Sequence, residues 1–326
     1  MASFRQRSNK WQARVKRDGF PDQVKTFEVK ADAERWARSV ESEMDRGSFS
    51  SPVTAQKTNL GELIERYVLE VLPRMRGAKE DAIRLKALCR RSICKCSVSA
   101  LTPAKIANFR DERLAEVAPG TVVRELSYLS SIINHGRREW GLNVANPVAL
   151  VRKPTQPKGR DRVLTPDERA RLLAELQPTG RRNVWMPPLV VIALETAMRR
   201  SELLALRWMD INFERRTATL HMTKNGESRV VPLSKCAVET LAALPRPSAV
   251  VFPITSWALA ASFDKAVARA KLKDLHFHDL RHTAITHIAT KLPNLIELSA
   301  VSGHKSLKML QRYYHPDAGV LALRLG

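Results

Sequence analysis

Apolar residues in this chain recur mostly at intervals of three and four, the period of a helix with one buried face. Leu60, Leu63, Ile64, Tyr67, Val68 and Leu72 form one such stripe. Ile83, Leu85 and Leu88 belong to a second helix, and Ile106, Phe109 and Leu114 to a third. The third opens at Thr102-Pro103, an N-cap side chain followed by proline in the first helical turn. Val122, Val123, Leu126, Leu129, Ile132 and Ile133 make a fourth, ended by Gly141 and Pro147. Residues 58–151 therefore read as nearly all helix, with these stripes as bundle core.

The helical period breaks twice. Residues 11–17 alternate apolar with polar or basic side chains, and residues 24–29 read as a second strand beyond the turn Gly19-Phe20-Pro21-Asp22. A helix follows through Ala33, Trp36, Ala37, Val40 and Met44, closed by Gly47. Residues 1–50 thus predict a small sheet packed on one helix, with Arg14, Lys16 and Arg17 on an exposed basic face. Much later, residues 217–222 and 229–233 predict a hairpin joined across Asn225-Gly226, a dipeptide suited to tight hairpin turns. The remaining chain, from the cap Thr165-Pro166-Asp167-Glu168 onward, reads as mostly helical. The expected fold class is mainly α with small β elements (α+β). Its expected parts are 1–50, a linker at Gly47-Ser48-Phe49-Ser50-Ser51-Pro52, a helical domain at 58–151, a Pro- and Gly-broken basic linker at 152–162, and a last domain at 163–326.

Charge sharpens this picture. The 326 residues hold 55 Lys and Arg against 33 Asp and Glu, a formal net charge of +22, and the pI is near 10.4. Such a balance makes nucleic acid the leading partner, since clustered cations release counterions from phosphates; an anionic membrane surface is the competing explanation. No apolar run reaches the ~20 residues of a membrane span, and Met1-Ala2-Ser3-Phe4-Arg5 lacks the apolar core of a signal peptide. Residues 74–95 carry eight cations (Arg74, Arg76, Lys79, Arg84, Lys86, Arg90, Arg91 and Lys95) against Glu80 and Asp81. Arg84, Arg90 and Arg91 there, with Arg152, Lys153, Arg160 and Arg162 in the basic linker, are the expected phosphate contacts. Cys89, Cys94 and Cys96 match no zinc spacing and read as reduced thiols. No metal and no cofactor is expected.

Arg199, Lys224, His278, Arg281, His304 and Tyr313 are the candidate chemistry. Phosphoryl transfer needs cations to clamp the non-bridging oxygens, a nucleophile for the phosphorus and an acid for the leaving oxygen. Two arginines, a lysine, histidines and a tyrosine supply all of these without a metal. No acidic cluster is spaced to hold Mg²⁺, and no Gly-x-x-x-x-Gly-Lys-Ser/Thr loop is present. Taken singly, each side chain has a structural alternative: Arg199 in an ion pair with Glu202, His278 as a satisfied histidine, Lys224 as a solvated turn residue, Tyr313 as core.

Taken in order, they resemble the tyrosine recombinase (phage integrase) family. Thr-Ala-Met-Arg-Arg-Ser-Glu at 196–202 is followed by Lys224 at the hairpin, His-Asp-Leu-Arg-His-Thr at 278–283, Gly303-His304, and Tyr313. The resemblance covers about 160–326 closely and 58–151 more loosely, as the family's helical core-binding domain. Residues 1–50 look like a short arm-type DNA-binding domain, again loosely. It implies a site-specific recombinase acting on double-stranded attachment sites, as a homotetramer clamped on DNA, for integration or excision of a prophage or mobile element. It implies that Arg199 and Arg281 bind the scissile phosphate and that Tyr313 attacks it to give a 3′-phosphotyrosyl link. Lys224 would protonate the 5′-oxygen, His278 would act as acid/base, His304 would hydrogen-bond the phosphate and Glu202 would brace Arg199. A host DNA-bending protein and a directionality factor are possible partners, and a cytoplasmic, nucleoid-associated location in a bacterium is implied. The other classes in play are a DNA-binding protein that no longer cuts and a relaxing enzyme like a type IB topoisomerase. His276 and His282 fall in no motif slot and read as structural. Two departures from the family pattern stand out: Ala197 replaces a usual Gly, and Ser302 replaces a usual Leu at a place expected to touch no catalytic group. Tyr314 is the neighbour from which Tyr313 must be distinguished, and the apolar tail residues Val320, Leu321, Leu323 and Leu325 suggest docking on this or a neighbouring protomer.

Overall fold

The computed structural model describes residues 2–45, 57–157, 159–180, 182–221, 228–292, 294–313, 319 and 322–323. Lys224 and the Asn225-Gly226 turn, the 47–52 linker with Gly47, Tyr314, Val320, Leu321 and Leu325 lie outside the described residues. The chain divides into two compact units, 1–158 and 159–326.

In the first unit, β1 (Ala2–Arg7), β2 (Lys10–Val15) and β3 (Gln23–Phe27) form an antiparallel sheet in that order. Strand β1 was not foreseen. It joins β2 through Ser8 and Asn9, both left-handed at φ 48° and 63°, the conformation that a two-residue hairpin turn demands. Ala13 and Val15 turn inward, and helix α1 (Lys30–Asp45) buries Ala33, Ala37, Val40 and Met44. On the outer face Arg14 pairs with Asp22, and Arg17 with Asp45.

Among the described residues four α-helices follow in the same unit: α2 (Leu60–Glu70), α3 (Ala78–Leu88), α4 (Pro103–Glu116) and α5 (Pro119–Glu139). Helix α2 starts at a reciprocal cap in which Asn59 accepts from Glu62 N–H and Glu62 accepts from Asn59 N–H. Leu60, Ile64, Leu85, Ile106, Leu126, Leu129, Ile132 and Ile133 are fully buried, each contributing roughly 1.5–3 kcal/mol. Ile83 is an exception to the predicted stripe and is 70% exposed. At about 100° per residue it points away from both Leu85 and Leu88. The buried Arg113 of α4 donates two 2.8 Å bonds to Glu125 of α5 and ties that pair of helices together.

The second unit is organised around α7 (Met186–Thr196), whose Leu189, Val190, Ile192, Ala193 and Leu194 are all buried. A helix apolar on every side must be enclosed by other elements. Around it stand α6 (Pro166–Leu176), α8 (Arg200–Ala205), α9 (Lys235–Ala242), α10 (Ser256–Arg269) and α11 (Phe277–Lys291). Thr165 and Glu168 form the cap that their spacing predicts. Strands β4 (Ile211–Asn212), β5 (Thr217–Leu220) and β6 (Arg229–Pro232) form a second antiparallel sheet, with Ala218 opposite Val231. Helices α12 (Leu295–Ser302) and α13 (Leu307–Leu310) lead into a short 3₁₀ turn, Gln311–Tyr313. Among the described residues no helix is long and apolar enough to cross a membrane.

Candidate active site

Three stretches of the second unit converge on Arg281. It sits one turn into α11 with only 4% of its surface exposed. Its guanidinium donates to the Ala197 carbonyl and, at 2.6 Å, to the Ser302 carbonyl. Those carbonyls mark two helix ends. Ala197 caps α7 in the left-handed conformation (φ 53°), and Gly303 caps α12 in the same way (φ 69°). The usual glycine at position 197 of the family pattern is thus explained by backbone conformation, since a Cβ there costs about 1 kcal/mol. Burial, and then the positive charge of Arg199, depress the Arg281 guanidinium to about 10. It stays protonated near neutrality.

Arg199 leads into α8. Its Nη1 donates to Glu202 Oε1 at 2.7 Å, its backbone N–H donates to Glu202 Oε2 at 2.8 Å, and its Nη2 reaches the Gly303 carbonyl at 3.3 Å. Glu202 is 3% exposed and is held from the other side by Arg229 of β6, at 2.8 and 2.9 Å. Burial alone would raise the Glu202 carboxyl; hydrogen bonds from Arg229 and from the Arg199 N–H keep it below its ordinary value. Arg229 was not foreseen. Its guanidinium lies against Gly303, where an added Cβ would come within 2.7 Å of Nη1. Side-chain room and positive φ both favour glycine at that place.

His304 follows Gly303, and its Nδ1 lies 2.8 Å from Ser302 Oγ. The expectation that Ser302 touches no catalytic group is therefore overturned: its hydroxyl meets His304 and its carbonyl takes Arg281. Burial first, then Arg281, Arg199 and Arg229, push the His304 ring down to about 4. It is neutral at physiological pH.

Tyr313 closes the group. Its ring packs against the small cluster of Ala197, Ala284, Ile285 and Leu310, and lies 6.4 Å from the His304 ring. Burial raises its hydroxyl, against the opposing charges of Arg312 and Arg281. That hydroxyl hydrogen-bonds Nδ1 of His282. His282, expected to be structural, stacks its ring on Tyr313 at 5.8 Å between centroids. His278, one turn earlier on α11, lies edge-on to His282 at 5.3 Å and lines a cleft of about 560 Å³ with Arg199, Arg200 and Ser201. His276 caps α11: its N–H donates to Asp279 Oδ2 at 2.8 Å.

Arg160 was expected to touch DNA phosphate. Its guanidinium donates to Asp279 at 2.9 and 3.2 Å, to the Asp274 carboxylate at 2.9 and 3.1 Å and to the Asp274 carbonyl at 2.6 Å, while its own carbonyl accepts from Arg312 at 3.3 Å. Arg162 is engaged by Glu168, Arg84 by Asp81 and Arg91 by Glu116. Arg90, Arg152 and Lys153 are exposed. Among the described residues no group of three His, Cys, Asp or Glu could hold a metal ion.

The profile of the Phage integrase family matches residues 162–319. A shufflon-specific DNA recombinase of Escherichia coli is 39% identical over 280 residues, covering 83% of this chain and 72% of the relative. An integrase/recombinase of Haemophilus influenzae is 34% identical over 97% of this chain and 88% of its own length. A lambda integrase tetramer bound to a Holliday junction shares the fold, with a TM-score of 0.67 at 19% identity over 94% of this chain and 93% of that one. Arg199, the His278-x-x-Arg281 pair, His304 and Tyr313 lie within the matched span, and this chain belongs to the phage integrase family of tyrosine recombinases.

Proposed function

We propose that this chain breaks and rejoins DNA at specific sites with Tyr313 as its nucleophile. One observation supports the reading most: Arg199, Arg281 and His304 gather beside the one described tyrosine hydroxyl that faces a histidine nitrogen. Arg199 and Arg281 would clamp the non-bridging oxygens of the scissile phosphate, with His304 as a neutral donor to one of them. Tyr313 Oη attacks phosphorus, the 3′-phosphotyrosyl bond forms, and the bond to the 5′-oxygen breaks. Lys224 donates the proton that leaves with the 5′-hydroxyl, and His278 serves in acid/base transfer. Glu202 holds Arg199 at its working angle. The phosphotyrosine conserves the bond energy, so rejoining needs no ATP.

The substrate in this reading is a pair of double-stranded attachment sites of a prophage or other mobile element, held by four protomers. The lambda integrase tetramer on a Holliday junction supports such an assembly by likeness of fold. Residues 1–50 would read accessory arm sites and residues 58–151 the core site, with Arg14, Lys16, Arg17, Arg84, Arg90, Arg91, Arg152 and Lys153 as backbone contacts. A DNA-bending protein and a directionality factor would then set the course of the reaction on the nucleoid.

Covalent capture tests this. The protein is mixed in EDTA with nicked suicide duplexes tiled from DNA flanking its own gene and run on a denaturing gel beside Tyr313→Phe and Tyr314→Phe. An adduct lost only with Tyr313→Phe is the expected result. Loss only with Tyr314→Phe moves the nucleophile by one residue. Specific binding without any adduct leaves a protein that recognises sites but does not cut. Relaxation of any supercoiled plasmid, without pairing of two sites, indicates the topoisomerase-like alternative.

A further inference from the structure

We propose that His282 is a catalytic residue, the group that orients the Tyr313 hydroxyl and accepts its proton as Oη attacks phosphorus. This rests on Tyr313 being the nucleophile.

The geometry is specific. His282 and Tyr313 are 31 residues apart, yet the imidazole Nδ1 meets the phenolic Oη directly. The rings stack, with centroids 5.8 Å apart and planes inclined by 27°. Both rest on anchored backbone. Leu280, Ala284 and Ile285 bury the neighbouring positions of α11, and Leu310 is fully buried just before the turn that carries Tyr313. Helical spacing puts residue 282 on the same face as residue 278, one turn along. His278 is exposed at the cleft beside Arg199, whereas His282 is the ring whose nitrogen touches the hydroxyl.

The surroundings keep His282 neutral, which an acceptor requires. Burial lowers its basicity most, and His278 lowers it further; Asp279 opposes them, and Arg312 and Arg281 add smaller contributions in the lowering direction. His304, across the site, is neutral itself. In the tautomer protonated at Nε2, Nδ1 presents its lone pair to the Tyr313 hydroxyl. During cleavage the Oη–H bond breaks, the proton passes to Nδ1 and the Oη–P bond forms. The P–O5′ bond breaks with its proton supplied by Lys224. In rejoining, the imidazolium returns its proton to Oη as the 5′-hydroxyl attacks. The neighbouring cations disfavour that imidazolium, so the proton is held only while the phosphotyrosine exists.

The test is single-turnover cleavage of a suicide duplex from pH 5.5 to 9.5 by wild type, His282→Ala and His282→Asn. Each protein is also run on a duplex with a 5′-bridging sulfur, whose leaving group needs no proton. Asn places an amide near the position of Nδ1 but cannot hold a proton. His282→Ala is expected to cleave about a hundredfold more slowly near pH 7, with the deficit shrinking as pH rises and hydroxide takes over. Sulfur should leave that deficit in place while rescuing Lys224→Ala. Asn should recover part of the rate through orientation and keep the altered pH profile. Wild-type rates, or a deficit equal at every pH, would overturn the proposal. Should His282→Ala melt early, His282→Asn carries the test alone. An adduct with Tyr313→Phe would instead sink the nucleophile assignment, leaving the two failures distinguishable.

Discussion

In the helical part of the first unit, Arg84 on α3 and Arg91 in the bend that follows it keep 47% and 38% of their side chains exposed and lean on Asp81 and Glu116 at 2.8 and 2.9 Å. Beneath Tyr313, Arg281 is 4% exposed and is gripped by two main-chain carbonyls. The charges are equal and their settings opposite. Arg84 and Arg91 sit in water, where salt screens them and their carboxylate partners contribute little. They can exchange those partners for a phosphate. Arg281 and Arg199 are held in place by protein partners, so in the proposed reaction they would need no reorganisation as charge develops on a phosphate. A net charge of +22 therefore describes two populations. One is largely exposed and screened by salt, and the other is buried and held by main-chain carbonyls.

The buried arginines should give the largest effects. Arg281→Lys should lower single-turnover cleavage by ~10²–10³-fold, because one ammonium cannot span the carbonyls of Ala197 and Ser302. A rate near wild type would mean that fixed geometry is unimportant there. Glu202→Gln should cost about 3–5 kcal/mol in urea unfolding, the penalty for removing one partner from a buried charge cluster. A loss under ~1 kcal/mol would class it with surface pairs. The pH dependence sharpens the contrast further. The folded chain holds the His304 ring at about 4, below the ~6.5 of an unfolded histidine. Between those values the unfolded state binds a proton that the folded state does not, so this stabilising contribution is present above pH 6.5 and fades as pH falls toward 4. Melting temperature should drop over that window, and less steeply in His304→Gln. At the exposed end, Arg91→Ala should change stability by less than ~1 kcal/mol. Its effect should appear instead as a salt dependence of DNA binding reduced by about one in slope.

Periodicity revealed the helices whose stripes are continuous, and the pairs Thr102-Pro103 and Thr165-Pro166 located two helix starts. It did not reveal β1, where two arginines and a glutamine occupy half of the positions and only Ala2 and Phe4 alternate inward. Nor did grouping Ile83 with Leu85 and Leu88 respect the helical angle. In the site, short motifs marked Arg199, Arg281, His304 and Tyr313 because each carries its own local signature. Arg229 and His282 act through partners 27 and 31 residues distant, and such pairings leave no periodic trace. One signal was available: 278 and 282 are four apart on a helix, so a functional His278 brings residue 282 to the same face. The pairing of Arg160 with Asp279 was equally hidden, because a basic linker looks the same whether its guanidiniums face phosphate or carboxylate.

Glu202 has one more consequence, and it concerns charge balance along the reaction. Both of its oxygens are occupied by Arg199 and Arg229. That single carboxylate is shared by Arg199 and Arg229, so with Arg281 the three guanidiniums and one carboxylate leave a net charge of +2 among these four side chains. A resting phosphodiester carries one negative charge. The five-coordinate phosphorus formed when a tyrosinate oxygen adds to it carries two. In the proposed reaction the centre would be mismatched to the DNA it first meets and matched to the species midway through cleavage, so its attraction would grow as the bond to Tyr313 forms.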